Sequence, residues 1–274
     1  MSDKPVIASV SGGKDSAAMC LWLIEQDIEY EAVFLDTGWE APYTYDYLQD
    51  LEQSIGPIQH VRGPWDMRSL ILSKGMFPGR ICRFCTEQLK VFPFLEWVGD
   101  REIVNTVGIR AAESKARSKL GEWGRLDEHI KVWRPLIDWS KQDVIDIHHR
   151  HNLKPNPLYL LGVERVGCWP CIYARKSDLR LVARLDPERI NDIRQLESDI
   201  QEMARQRYAK RGETFESLGY SPPAYFNQSG KGSRPFPIDD AVAWSRTSHG
   251  GRHLELDHMD DRRGCLRWGL CDAD

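Results

Sequence analysis

The sequence predicts an α/β protein with a Rossmann-like parallel sheet and a mostly helical C-terminal segment. Short β-branched runs alternate with helix-forming runs over residues 1–152, and a glycine turn follows the first of them. From Pro155 onward, charged helix-forming runs replace the alternation. Strand–helix alternation favours a parallel sheet, because each strand returns to the sheet through a helix. We therefore divide the chain into a sheet domain, residues 1–152, and a helical region, residues 153–274.

The first strand, residues 5–10, runs into the glycine turn, and a helix-forming stretch follows at residues 17–24. A strand, a glycine turn and a helix N-terminus form an anion site, because the first backbone N–H groups and the positive end of the helix dipole are free. The spacing differs from that of a Walker A loop. The alternative is a plain glycine turn capped by Ser16. The candidate phosphate-binding residues are Ser11, Gly12, Gly13, Lys14, Asp15 and Ser16.

A second strand, residues 30–35, ends at Asp36. Ligands bind at the carboxyl ends of parallel strands, so Asp36 suits a ribose or metal contact; alternatively it caps the following helix. The remaining elements are helices at 41–54 and 65–74, strands at 58–61, 102–107 and 132–136, a helix from Ser140 to about His151, and charged helices at 173–185 and 187–212. We expect His148, His149 and His151 to form a solvated helix end.

Two C-x-x-C units lie far apart, Cys82–Cys85 and Cys168–Cys171. Four thiolates in two such units can ligate zinc or a [4Fe–4S] cluster, and the spacing alone does not choose between them. The alternative is four ordinary buried cysteines.

Two further cysteines, Cys265 and Cys271, lie near the C-terminus. They are either thiols that a mobile tail carries to an active site or inert tail residues.

Two groups of basic residues stand out. Arg110 and Arg117, with Lys115 and Lys119, follow the strand at 102–107, where fixed cations would stabilise a pyrophosphate leaving group. The alternative is a solvated loop. A second group could bind a nucleic-acid backbone or simply cover a helix surface, and it comprises Arg165, Arg175, Lys176, Arg180 and Arg184.

The composition is that of an ordinary globular protein of 274 residues, with 41% hydrophobic residues and a net charge of −4. That charge argues against a protein that coats nucleic acid by bulk attraction, although it leaves room for a local basic groove. No apolar run approaches the ~20 residues that span a bilayer, so we expect no membrane association. With seven cysteines and no export signal, we expect a cytoplasmic, reducing location.

Five motifs in order resemble the phosphoadenosine-phosphosulfate-reductase-like branch of the PP-loop ATP pyrophosphatases. They are Ser-Gly-Gly-Lys-Asp-Ser at 11–16, Leu-Asp-Thr-Gly at 35–38, Cys-Thr-x-x-Leu-Lys-x-x-Pro at 85–93, Gly-Ile-Arg-x-x-Glu-Ser-x-x-Arg at 108–117 and Gly-Cys-x-x-Cys at 167–171. The similarity covers about residues 5–185. It implies an adenine-nucleotide α-hydrolase (PP-loop) fold. In cluster-bearing members the two cysteine pairs hold a [4Fe–4S] cluster, which favours iron–sulfur over zinc here.

The chain also departs from the sulfonucleotide reductases of that branch. Those enzymes have lost the loop lysine, whereas Lys14 is present here. Their first cysteine pair is adjacent, and their tail carries a Glu-Cys-Gly-Leu/Ile-His motif that this tail lacks. The chain looks more like the ATP pyrophosphatase component of DNA phosphorothioation systems, which works with a cysteine desulfurase.

The resemblance implies an ATP pyrophosphatase for sulfur incorporation, with nucleic acid as acceptor and DNA favoured over tRNA. It implies that Asp36, Gly108 and the turn bind ATP, that Mg²⁺ lies near Asp15 or Asp36, and that Lys14, Asp15, Arg110 and Arg117 act in catalysis. The alternatives are an APS/PAPS reductase that uses Cys265 or Cys271 with thioredoxin, a tRNA thiolation enzyme, and a non-catalytic ATP- or cluster-sensing subunit. A homo-oligomer is left open.

Overall fold

A computed structural model describes residues 4–79, 81–227 and 234–248, together with Trp268. A six-stranded sheet forms its centre, in the spatial order β3-β2-β1-β4-β6-β5. The strands are β1 Val6–Val10, β2 Glu31–Leu35, β3 Ile58–Val61, β4 Ile103–Val107, β5 Trp123–Arg125 and β6 Ile130–Trp133. All neighbours pair in parallel except β5, which is antiparallel to β6 at the sheet edge. The predicted Rossmann-like sheet is confirmed.

Helices connect and cover the strands, and the described C-terminal part is mostly helical, as predicted. The helices are α1 Lys14–Glu25, α2 Pro42–Ile55, α3 Met67–Lys74, α4 Phe84–Thr86, α5 Phe92–Val98, α6 Lys141–Arg150, α7 Pro157–Leu160, α8 Lys176–Leu185, α9 Pro187–Ala209 and α10 Ile238–Ser245. A π-helical turn, Glu87–Val91, joins α4 to α5, and a short antiparallel pair, β7 Phe226–Asn227 and β8 Pro235–Phe236, precedes α10.

Two strands of the sheet domain differ from the prediction. The antiparallel strand β5 was not predicted, because three residues are too short for an alternating pattern to register. The strand predicted at 132–136 lies at Ile130–Trp133, since the chain turns where Pro135 cannot donate to a sheet ladder.

Three apolar clusters form the core. One packs α1, α2 and α6 on one face of the sheet, and a smaller one packs α5 on the other face. The third joins Trp39, α3 and α4 to α8, α9 and α10. It draws residues from both sides of the predicted boundary at 152/153, and that boundary remains a prediction. Within the described ranges, no helix has both the length and the apolar character needed to cross a membrane.

Candidate functional site

The turn between β1 and α1 is closed from the inside by a serine. The Ser16 hydroxyl donates to the Gly13 carbonyl over 2.9 Å and accepts the Ser11 N–H over 3.1 Å. Gly12 has φ +68°, and a Cβ there would lie 2.7 Å from Cγ2 of Thr44. Only glycine suits that position. The first-turn N–H groups of α1 have no acceptor within the helix and so favour an anion.

Helix α7 braces this turn from the C-terminal region. The side-chain amide of Asn156, fully buried, donates to the Gly12 carbonyl over 3.1 Å. The Tyr159 hydroxyl accepts the Lys14 backbone N–H over 3.2 Å, and the Lys14 ammonium lies 4.6 Å from the centre of the Tyr159 ring. Sequence reasoning missed both side chains, although Asn156 before Pro157 is a recognisable helix N-cap.

Two buried cations share one carboxylate beside the turn. Nε of Arg110 lies 2.5 Å from Oδ1 of Asp15, and Nζ of Lys14 lies 3.2 Å from Oδ2. Burial alone disfavours the ammonium, yet the field of Tyr159 and the ion pair with Asp15 raise the pKa of Lys14 above its ordinary value. The lysine therefore stays charged at neutral pH. Two cations to one carboxylate leave net positive charge for a polyphosphate.

The end of β4 lies directly against the start of α1. A Cβ on Gly108 would lie 2.4 Å from the Asp15 carbonyl oxygen and 2.8 Å from the Ser16 nitrogen. Both are backbone atoms that cannot swing aside. Gly108 therefore allows β4 and α1 to approach closely. The sequence also predicts that Gly108 contacts the nucleotide.

Arg117 is linked to this cluster through a single carboxylate, that of Glu113. Oε2 of Glu113 accepts the backbone N–H of Arg110 over 3.0 Å and forms an ion pair with Arg117. The structure thus joins Lys14, Asp15 and Arg110, and it links Arg117 to them through Glu113, a residue that was not singled out as a site residue.

Asp36 lies at the carboxyl end of β2, beside the turn. Oδ1 of Asp36 accepts the Gly38 N–H over 2.8 Å and the Tyr45 hydroxyl over 2.7 Å, and Oδ2 pairs with Arg62 at 2.7 Å. The side chain caps no helix, since α2 begins without a side-chain cap. Both carboxylates proposed for Mg²⁺, Asp15 and Asp36, already bind cations, so a metal there would have to displace one of them.

The structure brings together three of the four paired cysteines. Cys85, Cys168 and Cys171 interact electrostatically, and the loop of the second pair is tied to the β2–α2 connection by a 2.7 Å bond from the Trp169 N–H to the Trp39 carbonyl. Burial raises the pKa of Cys168 to about 12. Cys82, in contrast, is exposed.

These thiols do not form a metal site as they are placed. Across the described part of the chain, no group of three or more His, Cys, Asp or Glu side chains is arranged to hold a metal ion. The predicted four-cysteine ligand set is not confirmed. Cys265 and Cys271 lie outside the described residues.

Part of the second basic group binds the protein itself. Nζ of Lys176 donates to the Thr247 carbonyl over 2.6 Å, and Nε of Arg180 donates to the Ser245 carbonyl over 2.8 Å. Arg175 forms an ion pair with Glu164. Lys176 and Arg180 therefore bind the C-terminal end of α10, where carbonyls lack helical partners.

One of the three histidines at the end of α6 departs from the solvated helix end that the sequence predicts, whereas His149 is exposed and His151 is half-buried. His148 is fully buried, with its ring 5.1 Å from that of Trp268, and burial lowers its pKa to about 4. Nε2 of His149 lies 2.6 Å from the Trp268 carbonyl oxygen, and His151 pairs with Glu25. The prediction failed for His148 because Trp268, far along the chain, packs against its ring.

A glycine turn, a helix N-terminus and buried cations define a nucleotide-binding α/β protein of the PP-loop type. The phosphoadenosine phosphosulfate reductase domain matches residues 5–174. The chain belongs to this family.

The chain is also similar to individual proteins. An uncharacterised 37.8 kDa protein of Escherichia phage 186 is 33% identical over 70% of this chain and 74% of its own length. An adenosine 5'-phosphosulfate reductase of Anoxybacillus flavithermus is 33% identical over 52% of this chain and 61% of the reductase. The phosphoadenylyl-sulfate reductase of Candida auris has a TM-score of 0.49 at 19% identity, over 60% of this chain and 81% of that one.

Proposed function

We propose that the chain is an ATP pyrophosphatase that adenylates a nucleic-acid acceptor for sulfur incorporation. The observation that carries the proposal is the convergence of the Lys14 and Arg110 cations on Asp15, at the N-terminus of α1. A nucleotide that arrives already activated has no pyrophosphate to release, so it would not need a loop lysine held charged in this position.

The proposed first step breaks ATP between the α and β phosphates. An acceptor oxygen attacks the α-phosphorus, a new O–P bond forms, and pyrophosphate leaves with the bonding electron pair. ATP enters as its Mg²⁺ complex, so the metal belongs to the substrate and neutralises phosphate charge. Lys14 and Arg110 stabilise the charge that develops on the leaving pyrophosphate, and the first turn of α1 orients the phosphates.

The proposed second step uses the adenylate as a leaving group. The persulfide of a cysteine desulfurase attacks the acceptor atom through its terminal sulfur, and AMP departs with the former acceptor oxygen. A thiol reductant then cleaves the S–S bond, which leaves the sulfur on the acceptor and returns the desulfurase cysteine as a thiol. We place the DNA backbone ahead of tRNA as the acceptor. A cytoplasmic location and a desulfurase partner complete the proposal.

A second candidate is a sulfonucleotide reductase. It is supported by the relatives named adenosine 5'-phosphosulfate reductase, one of them 33% identical over 52% of this chain. Such an enzyme would release sulfite from adenylylsulfate with thioredoxin, and it would need no ATP.

The test gives one preparation of the protein the substrates of each reaction, in two separate arms. One arm contains MgATP, a cysteine desulfurase with cysteine, a thiol reductant, and either DNA or tRNA; the other contains adenylylsulfate and reduced thioredoxin. We expect AMP, pyrophosphate and a thiolated nucleic acid in the first arm alone. Lys14→Met should abolish these products, while Lys154→Met, at an exposed lysine, should not. Sulfite in the second arm without ATP would establish the reductase instead, and no turnover in either arm would contradict both.

The cofactor is tested separately from turnover. Iron, sulfide and zinc are measured on protein purified without oxygen. About four irons per chain would support the [4Fe–4S] cluster, and one zinc would support a structural zinc site. If the protein contains neither metal, the cysteines are free thiols.

A further inference from the structure

We propose that the exposed face of the β5–β6 hairpin binds a base of the single-stranded nucleic-acid acceptor by stacking on Trp123. This inference rests on the proposed function, because it assigns the acceptor of that reaction a place on the protein. Strand β5 has no part in the nucleotide site.

Trp123 forms one half of a rigid aromatic pair. Its ring lies parallel to that of Trp133, with centroids 5.3 Å apart and planes 8° apart. Trp123 is 52% exposed, whereas Trp133 is 6% exposed. One face of the Trp123 ring is thus covered by Trp133, and the exposed area is available to a further ring.

The Trp133 ring, which lies beneath Trp123, is held in place by two contacts. Nε1 of Trp133 donates to Oε1 of Glu122 over 2.9 Å, and the ring meets Trp22 of α1 edge-on at 5.5 Å. A platform held in this way loses little freedom when a base stacks on it. Stacking also accepts any base, because each has a π-face.

Positive charge lies on the same face of the hairpin. Trp123 pairs with Trp133 in the register and Arg125 pairs with Lys131, and alternation places these four side chains on one side. The stretch 113–134 has six Lys and Arg against four Asp and Glu, in a chain of net charge −4. Among the acidic groups near this face, Glu102 is paired with Lys4. The local charge therefore complements a phosphate backbone.

The hairpin lies on the sheet edge away from Asp36. Thr106 of β4 pairs with Trp133, so Trp123 is near the carboxyl ends of the strands, as are Gly108 and Arg110. Two strand spacings, about 10 Å, separate β5 from β4. An acceptor strand that stacks on Trp123 could extend from there toward the phosphate turn without crossing the β2 side.

A protein strand is the competing occupant of this edge. Strand β5 is only three residues long and contains Gly124. Short edge strands with glycine and charge disfavour pairing with another chain. An exposed aromatic ring flanked by cations suits a base and phosphate better.

The test measures binding by fluorescence anisotropy of fluorescein-labelled single-stranded 12-mers, one of DNA and one of RNA. We expect Trp123→Ala to weaken binding of the preferred 12-mer about tenfold or more, and Trp123→Phe to keep it within about threefold of wild type. Trp244→Phe, at another partly exposed tryptophan, is the matched control and should bind normally. ATP affinity should be unchanged in all three variants.

The outcomes separate the inference from the proposed function. If wild type binds a 12-mer and Trp123→Ala binds it equally well, the stacking platform is wrong while the nucleic-acid acceptor stands. If wild type binds neither 12-mer although it binds ATP, both the platform and a single-stranded nucleic-acid acceptor are overturned. Loss of binding in Trp123→Phe as severe as in Trp123→Ala would also contradict a role based on stacking.

Discussion

Gly108 shows how one missing side chain sets the geometry of the site. A Cβ there would lie 2.4 Å from the Asp15 carbonyl oxygen, so the end of β4 would have to retreat by about 1 Å to reach ordinary contact. That retreat would carry Arg110 away from Asp15, since only Ile109 separates it from Gly108.

We therefore predict that Gly108→Ala lowers the rate of pyrophosphate release by about 100-fold, because a 1 Å misplacement of catalytic groups can cost that much. The measurement is pyrophosphate release at saturating MgATP. Gly79→Ala is the control, since a Cβ there meets open space. Equal rates in the two variants would contradict the proposed role of the contact.

His148 makes stability depend on pH. Its pKa is about 4 in the folded chain, because it is buried, and 6.5 when unfolded. Between these values the unfolded chain binds more protons, so the free energy of unfolding should fall as the pH drops from 6.5 to 4 and level off below.

The expected loss is about 3 kcal/mol at most. Urea unfolding at several pH values should show a shallower dependence for His148→Gln than for wild type. His129→Gln, at an exposed histidine, should leave the slope unchanged. Parallel curves for wild type and His148→Gln would refute the assignment.

At the scale of elements, the C-terminal end of α10 depends on cations from α8. Lys176 is buried and donates to both the carbonyl and the hydroxyl of Thr247. Removing the charged donor breaks both hydrogen bonds, and a hydrogen bond to a charged group stabilises the fold by about 1.5–3 kcal/mol.

Lys176→Met should therefore lower the free energy of unfolding by about 2 kcal/mol while leaving nucleic-acid affinity per folded molecule unchanged. Urea unfolding and 12-mer binding are measured on the same sample, with Lys210→Met, an exposed lysine, as the control. A drop in nucleic-acid affinity at unchanged stability would restore the sequence-based interpretation of these cations as a nucleic-acid footprint.

The elements also show what the sequence can predict. The turn at 11–16 and the strands on either side of it are encoded locally, by glycines, a helix start and β-branched runs. The bonds from Asn156 to Gly12 and from Lys14 to Tyr159 join residues 144 and 145 positions apart. No local pattern encodes such contacts, and the same holds for Trp268 over His148. Strand β5 was not predicted because its extended conformation depends on pairing with β6 rather than on its own residue pattern.

At the scale of the whole molecule, the third apolar cluster makes the two predicted regions depend on each other. Trp39 and Leu70 of the sheet domain pack with Ile193 and Leu196 of α9 in one buried cluster. Two parts that share a core of this kind should unfold together.

We predict a single urea transition, with the same midpoint by far-ultraviolet circular dichroism and by tryptophan fluorescence. Leu196→Ala should shift both signals together and cost about 2–5 kcal/mol. Two separated midpoints, with only one moved by the substitution, would show that residues 1–152 fold independently.

The most direct test of the central claim is the identity of the bond that is cleaved in ATP. ATP labelled at the α-phosphate is incubated with the desulfurase, cysteine and the nucleic-acid 12-mer, and the labelled products are separated. We predict labelled AMP, with an equal amount of pyrophosphate, from wild type and none from Lys14→Met. Labelled ADP, or AMP at equal rates from both proteins, would contradict an ATP pyrophosphatase that works through the glycine turn.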